Sequence, residues 1–279
     1  MATTFQFRQV DVFAAEPLRG NPLAVVIGAD GLTDVKMASF ANWTNLSETT
    51  FLLQPTQAAA DYRVRIFTPN TELPFAGHPT LGSCHVWLKA FGKAVGDTVV
   101  QECAAGLIHI RNDGDKLFFA APPLRRSGAV EHEQIDQIRK ALGLGTDAIV
   151  NANWTDNGPG WLCLLLKSRK DVLDIRPDFA KLRGLRVGVV APWDRALDGA
   201  EADFEVRAFT AAGFEDPVTG SLNAGIAQWL IGSDIANPNY VASQGTVLGR
   251  AGRIYVRKDS DGIWVGGAVS DRITGNVTL

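Results

Sequence analysis

Arg65-Ile-Phe-Thr68, followed by Ala76-Gly-His-Pro-Thr-Leu-Gly82 and Trp87-Leu88, returns later in the chain as Arg207-Ala-Phe-Thr210, Thr219-Gly-Ser-Leu-Asn-Ala-Gly225 and Trp229-Leu230. The match extends beyond these words. Asp61, Val64, Arg65, Phe67 and Thr68 align with Asp203, Val206, Arg207, Phe209 and Thr210, and one residue out of step Gly77, Gly82, Gln101 and Gly106 align with Gly220, Gly225, Gln244 and Gly249. Arg111 and Asp113 then resemble Arg257 and Asp259. One repeat of half the chain predicts two similar domains rather than a solenoid. The boundary falls near Pro122-Pro123, giving domains 1–123 and 124–279, with the last strand free to cross back to the first domain. A cleft between two such domains is a natural place for a ligand.

Each copy reads as a strand ending in Phe-Thr, a loop, a glycine-bearing turn and an amphipathic helix. Strands are expected at Phe5–Phe13, Leu23–Ile27, Glu48–Leu53, Tyr62–Phe67 and through Val99–Ala120, with helices at Asp34–Trp43 and Pro79–Phe91. The second half repeats the plan. It has helices at Glu133–Leu142, Pro177–Leu182 and Val218–Ile231, and strands at Ala148–Asn153, Trp161–Leu166, Val187–Val190, Phe204–Phe209, Tyr240–Leu248, Arg253–Arg257 and Gly262–Ser270. Strands outnumber helices. The expected fold is therefore α+β, with each of two pseudo-symmetric domains a curved, mostly antiparallel sheet or open barrel around its long helix.

Composition narrows the function classes. The 279 residues are 46% hydrophobic and 20% charged, with a net charge of −3, the balance of a globular chain with a real core. There is no Lys/Arg-rich run to serve as a footprint for nucleic acid or an anionic membrane. No apolar run reaches spanning length and the N-terminus lacks a signal-peptide pattern, so a cytoplasmic location is expected. Cys84, Cys103 and Cys163 are an odd number without C-x-x-C spacing, which argues against a disulfide framework or zinc knuckle and for buried reduced thiols.

The repeated turn is the expected site. Glycine lets a ligand approach the backbone, and the N–H groups of a first helical turn attract an anion. Pro79 suits that turn because no N–H is needed there. Two such helix ends aimed into one cleft would suit a small carboxylate. The plainer reading is that these glycines only let helix and sheet pack. A phosphate-binding P-loop is excluded, because Ser83 follows Gly82 where that motif needs lysine.

Polar residues cluster at equivalent spots: His78 in one copy, and Glu215, Asp216 and Ser221 in the other. Glu48 enters an apolar strand, and a carboxylate carried into a closed cleft has its pKa raised, as a general acid/base at neutral pH requires. Glu48 read locally could equally be a solvated strand-start residue, and His78 a loop histidine bonded to backbone.

Gly20-Asn-Pro22, Asn45-Leu-Ser-Glu-Thr49, Leu73-Pro-Phe-Ala-Gly-His-Pro-Thr-Leu-Gly82 and Glu215-Asp-Pro-Val-Thr-Gly-Ser221 together resemble the PhzF family of phenazine-biosynthesis-like isomerases. The resemblance runs the whole chain in the right order. It implies the diaminopimelate epimerase fold, a site between the domains, no metal, no organic cofactor and a homodimer. It further implies that Glu48 shuttles a proton, that His78 and Asp216 assist, that Ser221 binds substrate, and that the turns at Gly77 and Gly220 offer N–H groups to a carboxylate. Epimerases of this fold resemble one another in placing a cysteine beside each glycine turn, and here neither turn has one. Val218, Leu222 and Asn223 depart from the family's small residues, which leaves the catalytic set intact and the substrate open. The implied activity is a proton shift in a small unsaturated or cyclic carboxylate. The alternatives are an epimerase or lyase on an amino or hydroxy acid, or a non-catalytic acid-binding homodimer.

Overall fold

A computed structural model describes residues 2–14, 16–92, 98–182 and 184–279. The chain forms two compact units, Met1–Ala120 with Gly266–Leu279, and Ala121–Val265.

The first unit contains β1 (Thr4–Val12), β2 (Asn21–Ile27), α1 (Asp34–Thr44), β3 (Thr49–Leu53), β4 (Tyr62–Phe67), β5 (Glu72–Leu73), α2 (Gly77–Phe91), β6 (Thr98–Cys103), β7 (Gly106–Asp113) and β8 (Lys116–Ala120). The second runs β9 (Arg126–Ala129), α3 (His132–Leu142), β10 (Ile149–Asp156), β11 (Trp161–Leu166), α4 (Arg169–Asp174), α5 (Phe179–Leu182), β12 (Arg186–Pro192), α6 (Arg195–Asp198), β13 (Phe204–Phe209), β14 (Glu215–Asp216), α7 (Gly220–Gly232), β15 (Asn239–Gln244) and β16 (Gly252–Asp259). A final strand, β17 (Gly262–Thr278), supplies from Gly266 onward the last piece of the first unit.

The duplication is visible strand by strand. In the first unit β2 and β3 are parallel, β4 and β6 are parallel, and β1/β2, β3/β4 and β6/β7 are antiparallel. In the second, β11/β12 and β13/β15 are the parallel pairs, and β10/β11, β12/β13 and β15/β16 are antiparallel. Parallel neighbours need a crossover, usually helical. Here α1 and α2 provide the two in the first unit, and α4 with α5, then α7, provide those in the second. In the first unit β17 pairs with both β8 and β1, closing the ladder into a barrel.

Helices α2 and α7 are the central ones. Every residue from Gly77 to Cys84 is buried, as is the run Leu222–Ala227, the pattern of a helix enclosed by its sheet. Close passage explains two of the repeated glycines. A Cβ on Gly82 would lie 2.5 Å from Leu23 Cδ2, and one on Gly225 would lie 2.2 Å from the Thr155 carbonyl oxygen. These two are packing glycines. On the outer faces, Met37, Phe40 and Ala41 of α1 cover Phe51 and Phe67, and Ile138, Leu142, Val172 and Leu182 cover Leu164, Val187 and Val189.

Some elements differ from expectation. The loop Thr68–Gly77 contains the two-residue strand β5, and its counterpart contains β14, because an arginine on the preceding strand grips a glutamate in each. The strand expected over Tyr240–Leu248 stops at Gln244, where Gly245 at φ 90° turns the chain into a 3-10 turn. The last strand continues past Ser270 to Thr278, with Thr4 opposite Thr278 and a bulge at Gln9/Val10. The polar Asp271-Arg272 pair broke the alternation that would have shown it. Strand β9 and helices α4 and α6 were not anticipated, although Ser168 and Asp194 cap the two helices as their residue types allow.

Candidate active site

Glu48 lies at the turn between α1 and β3. Helix α1 ends at Asn45, whose left-handed φ of 54° reverses the chain, and the Thr44 and Thr49 hydroxyls meet at 2.9 Å across the turn. Ser47 donates to Asn21 Oδ1 at 3.3 Å. These contacts anchor both neighbours of Glu48, whose side chain is 16% exposed. His78, the second residue of α2, is 5% exposed, and its Nε2 stands 3.4 Å from Glu48 Oε2. Burial pushes the imidazole down to about 3, so His78 is neutral at physiological pH. A neutral imidazole can accept from a carboxylic acid or, as the other tautomer, donate to a carboxylate. It can therefore partner Glu48 in either protonation state.

Helix α2 begins behind Ala76, which has no side chain able to cap it. Its first turn is steadied from within: Gln101 Nε2 donates to Thr80 Oγ1 at 3.0 Å and itself accepts from the Tyr62 hydroxyl. Ser83 donates to Thr50 on β3, tying the helix to the strand that follows Glu48.

The second unit assembles Asp216, Gly220 and Ser221 on β14 and the first turn of α7. Thr219, at the N-cap, does not cap the helix with its side chain, because its hydroxyl donates to Asp216 Oδ2 at 2.6 Å. Gln244 repeats the role of Gln101, donating to Thr219 Oγ1 at 2.9 Å and to the Asp216 carbonyl. Both central helices thus start without a side-chain cap, leaving first-turn N–H groups of the kind that hold anions.

Residues outside the expected set hold these turns. Arg207 makes a two-pronged pair with Glu215, at 3.0 and 2.8 Å, and donates to the carbonyls of Val172 and Ile175. Arg65 grips Glu72 in the same way, at 2.7 Å on both prongs. Each arginine lies over the phenylalanine two residues on, Phe67 or Phe209. The repeated Arg-x-Phe-Thr was visible in the sequence, and its partners Glu72 and Glu215 occupy matching places. Trp161 and Asn157, which bond Ser221, carried no sequence signal.

Among the described residues no group of three or more His, Cys, Asp or Glu side chains is arranged to hold a metal ion. The three cysteines are free and buried. Burial pushes the Cys84 and Cys163 thiols far up, so they rest as inert thiols. No described helix is long and apolar enough to cross a membrane.

Residues 10–275 match the family of phenazine biosynthesis-like proteins, PhzC-PhzF. The chain belongs to this family. It is 36% identical to antisense-enhancing sequence 1 of Schizosaccharomyces pombe, over 98% of each chain. It is 32% identical to an uncharacterized isomerase of Pasteurella multocida, over 96% of this chain and 92% of the relative. A crystal structure of a PhzF family protein from Enterococcus faecalis superposes with a TM-score of 0.82 at 27% identity, covering 99% of this chain and 100% of that one. A hydroxyproline epimerase from Agrobacterium vitis shares the fold, with a TM-score of 0.59 at 15% identity over 99% of this chain and 93% of that one. The PhzF-like protein is an isomerase-type enzyme on an epimerase-like α+β scaffold.

Proposed function

We propose that this PhzF-like enzyme is a cofactor-independent isomerase that moves a proton within a small unsaturated or cyclic carboxylate, with Glu48 as the acid/base. The observation that carries the reading is the sheltered pair of Glu48 and His78, 3.4 Å apart at the start of an uncapped buried helix. A carboxylate and a neutral imidazole in contact, beside N–H groups suited to an anion, are the parts a proton shift needs.

Removing a proton from carbon is costly unless the charge spreads into a conjugated system whose oxygens are held by fixed donors. The turns at Gly77 and Gly220 supply such donors, and Ser221 adds a hydroxyl. Glu48 takes the proton and returns it to another carbon on the same face, while His78 and Asp216 orient substrate and assist. No thiol stands at Gly77-His78 or Gly220-Ser221, so inversion by two cysteines is not the chemistry of these turns. The enzyme acts on a freely diffusing small acid, as a cytoplasmic homodimer. The assembly is checked by sedimentation.

Solvent deuterium incorporation tests the reading. Incubating the protein in D2O with a panel of unsaturated cyclic and amino carboxylates should label one class at carbon, and Glu48→Gln should abolish the label. Exchange that persists in Glu48→Gln removes Glu48 as the base, and no exchange with any candidate favours a non-catalytic binder.

A further inference from the structure

Trp161 opens β11, is 3% exposed, and donates its indole Nε1–H to Ser221 Oγ at 3.0 Å. An indole nitrogen only donates, so the direction of this bond is fixed without locating any hydrogen. Ser221 Oγ accepts, and its own proton must point elsewhere. Among the described residues of the second unit no acceptor takes that proton. Asn157 meanwhile donates to the Ser221 carbonyl at 2.8 Å, so backbone and side chain of this residue are both gripped from the β10–β11 hairpin. The hairpin is itself tied, because the Asp156 carboxylate accepts the N–H groups of Gly158 and Gly160 at 2.7 and 2.6 Å. The first unit builds a similar device. Asp11 accepts the N–H groups of Arg19 and Gly20, both at 3.0 Å, and the next residue, Asn21, accepts from Ser47 beside Glu48.

We propose that Trp161 is a positioning residue that occupies one lone pair of Ser221 Oγ and biases the hydroxyl toward donating, favouring a ligand that presents an anionic oxygen to the start of α7. A serine free to rotate would serve a donor or an acceptor equally. One already accepting from an indole is biased toward an oxygen with lone pairs to offer, and it gains most when that oxygen is charged. The inference rests on the reading that Ser221 binds substrate, and it adds the polarity of the group bound.

The probes are cyclohex-1-ene-1-carboxylate and its neutral primary amide, titrated against the full-length protein by NMR. Wild type should prefer the carboxylate. Trp161→Phe, which keeps most of the ring and removes only the donor, should reduce that preference about tenfold, the scale of one hydrogen bond to a charged group. A purely structural role would weaken both probes alike. Ser221→Ala should reduce the preference as much, and Trp161→Phe should then cost nothing further, whereas Ser221→Thr should retain it. Independently of ligand, and even if Trp161→Phe fails to fold, the assigned Trp161 indole N–H resonance should move in Ser221→Ala.

The outcomes separate the two readings. A preference lost in Ser221→Ala but kept in Trp161→Phe overturns the role of Trp161 and leaves Ser221 as a binding residue. A preference unaffected by Ser221→Ala, or absent from wild type, removes the underlying reading of Ser221 and the proposal with it. An indole resonance indifferent to Ser221→Ala overturns the hydrogen bond itself.

Discussion

His78 Nε2 and Glu48 Oε2 lie 3.4 Å apart, with 6% and 16% of their side chains exposed. They come from the turn before β3 and the first turn of α2, with three strands between them in sequence, and the barrel brings them together. If Glu48 is the proton carrier, Glu48→Gln keeps shape and hydrogen-bonding capacity but cannot shuttle a proton. The rate of solvent exchange into a reactive carboxylate should fall by about 10³, within the span of general acid–base catalysis. The circular dichroism melt should be unchanged, which separates loss of chemistry from loss of fold.

Stability should depend on pH through His78. Burial holds the folded imidazole near 3, whereas an unfolded histidine titrates near about 6.5. Below the unfolded value the unfolded state takes up a proton that the folded state refuses. The contribution is therefore complete above about 6.5 and lost as pH falls toward the folded value, at about 1.4 kcal/mol per pH unit. His78→Gln has no such proton to gain. Urea denaturation at pH 6.5 and pH 5 should show wild type losing about 2 kcal/mol more than the variant across that interval. Parallel losses would show that His78 is not held neutral.

The two arginine clamps should differ in cost although they are copies. Arg207 and Glu215 have 2% and 7% of their side chains exposed, whereas Arg65 is 18% exposed with partners Glu72 at 37% and Asp34 at 81%. Arg207→Met strands a buried carboxylate and should cost about 3–5 kcal/mol. Arg65→Met should cost under about 1 kcal/mol, because water serves its partners. Chemical denaturation of both variants checks the ratio.

The packing glycines should also separate. A methyl group on Gly225 meets a backbone carbonyl, Thr155 O, at 2.2 Å, while one on Gly82 meets the end of the Leu23 side chain at 2.5 Å. A leucine can change rotamer and a carbonyl in a ladder cannot. Gly225→Ala should therefore cost about 3 kcal/mol or prevent folding, and Gly82→Ala about 1 kcal/mol. Comparable melting temperatures for the two variants would contradict this.

The repeated strand, turn and helix were legible because they lie within short reach along the chain. Apolar spacing sets which face is buried, glycine and proline set where the backbone turns, and a second copy multiplies the weight of each match. The sequence by itself therefore determined two similar α+β units, the placement of Gly77, His78, Gly220 and Ser221 at helix starts, and the family. The continuation of the last strand past Ser270 was blurred by Asp271-Arg272, where polar residues interrupt the alternation a strand is read from. Tertiary structure alone decided which side chains meet. Only the closed ladder carries Glu48 to His78, and Trp161 bonds Ser221 because the β10–β11 hairpin packs against the distant helix α7. The difference between Arg65 and Arg207 is of the same kind, since both sit in one motif and only the surrounding α4 segment buries the second. Local patterns encode dihedral preference and burial. Hydrogen bonds between residues far apart in sequence depend on distances of a few tenths of an ångström, which only the packed chain defines.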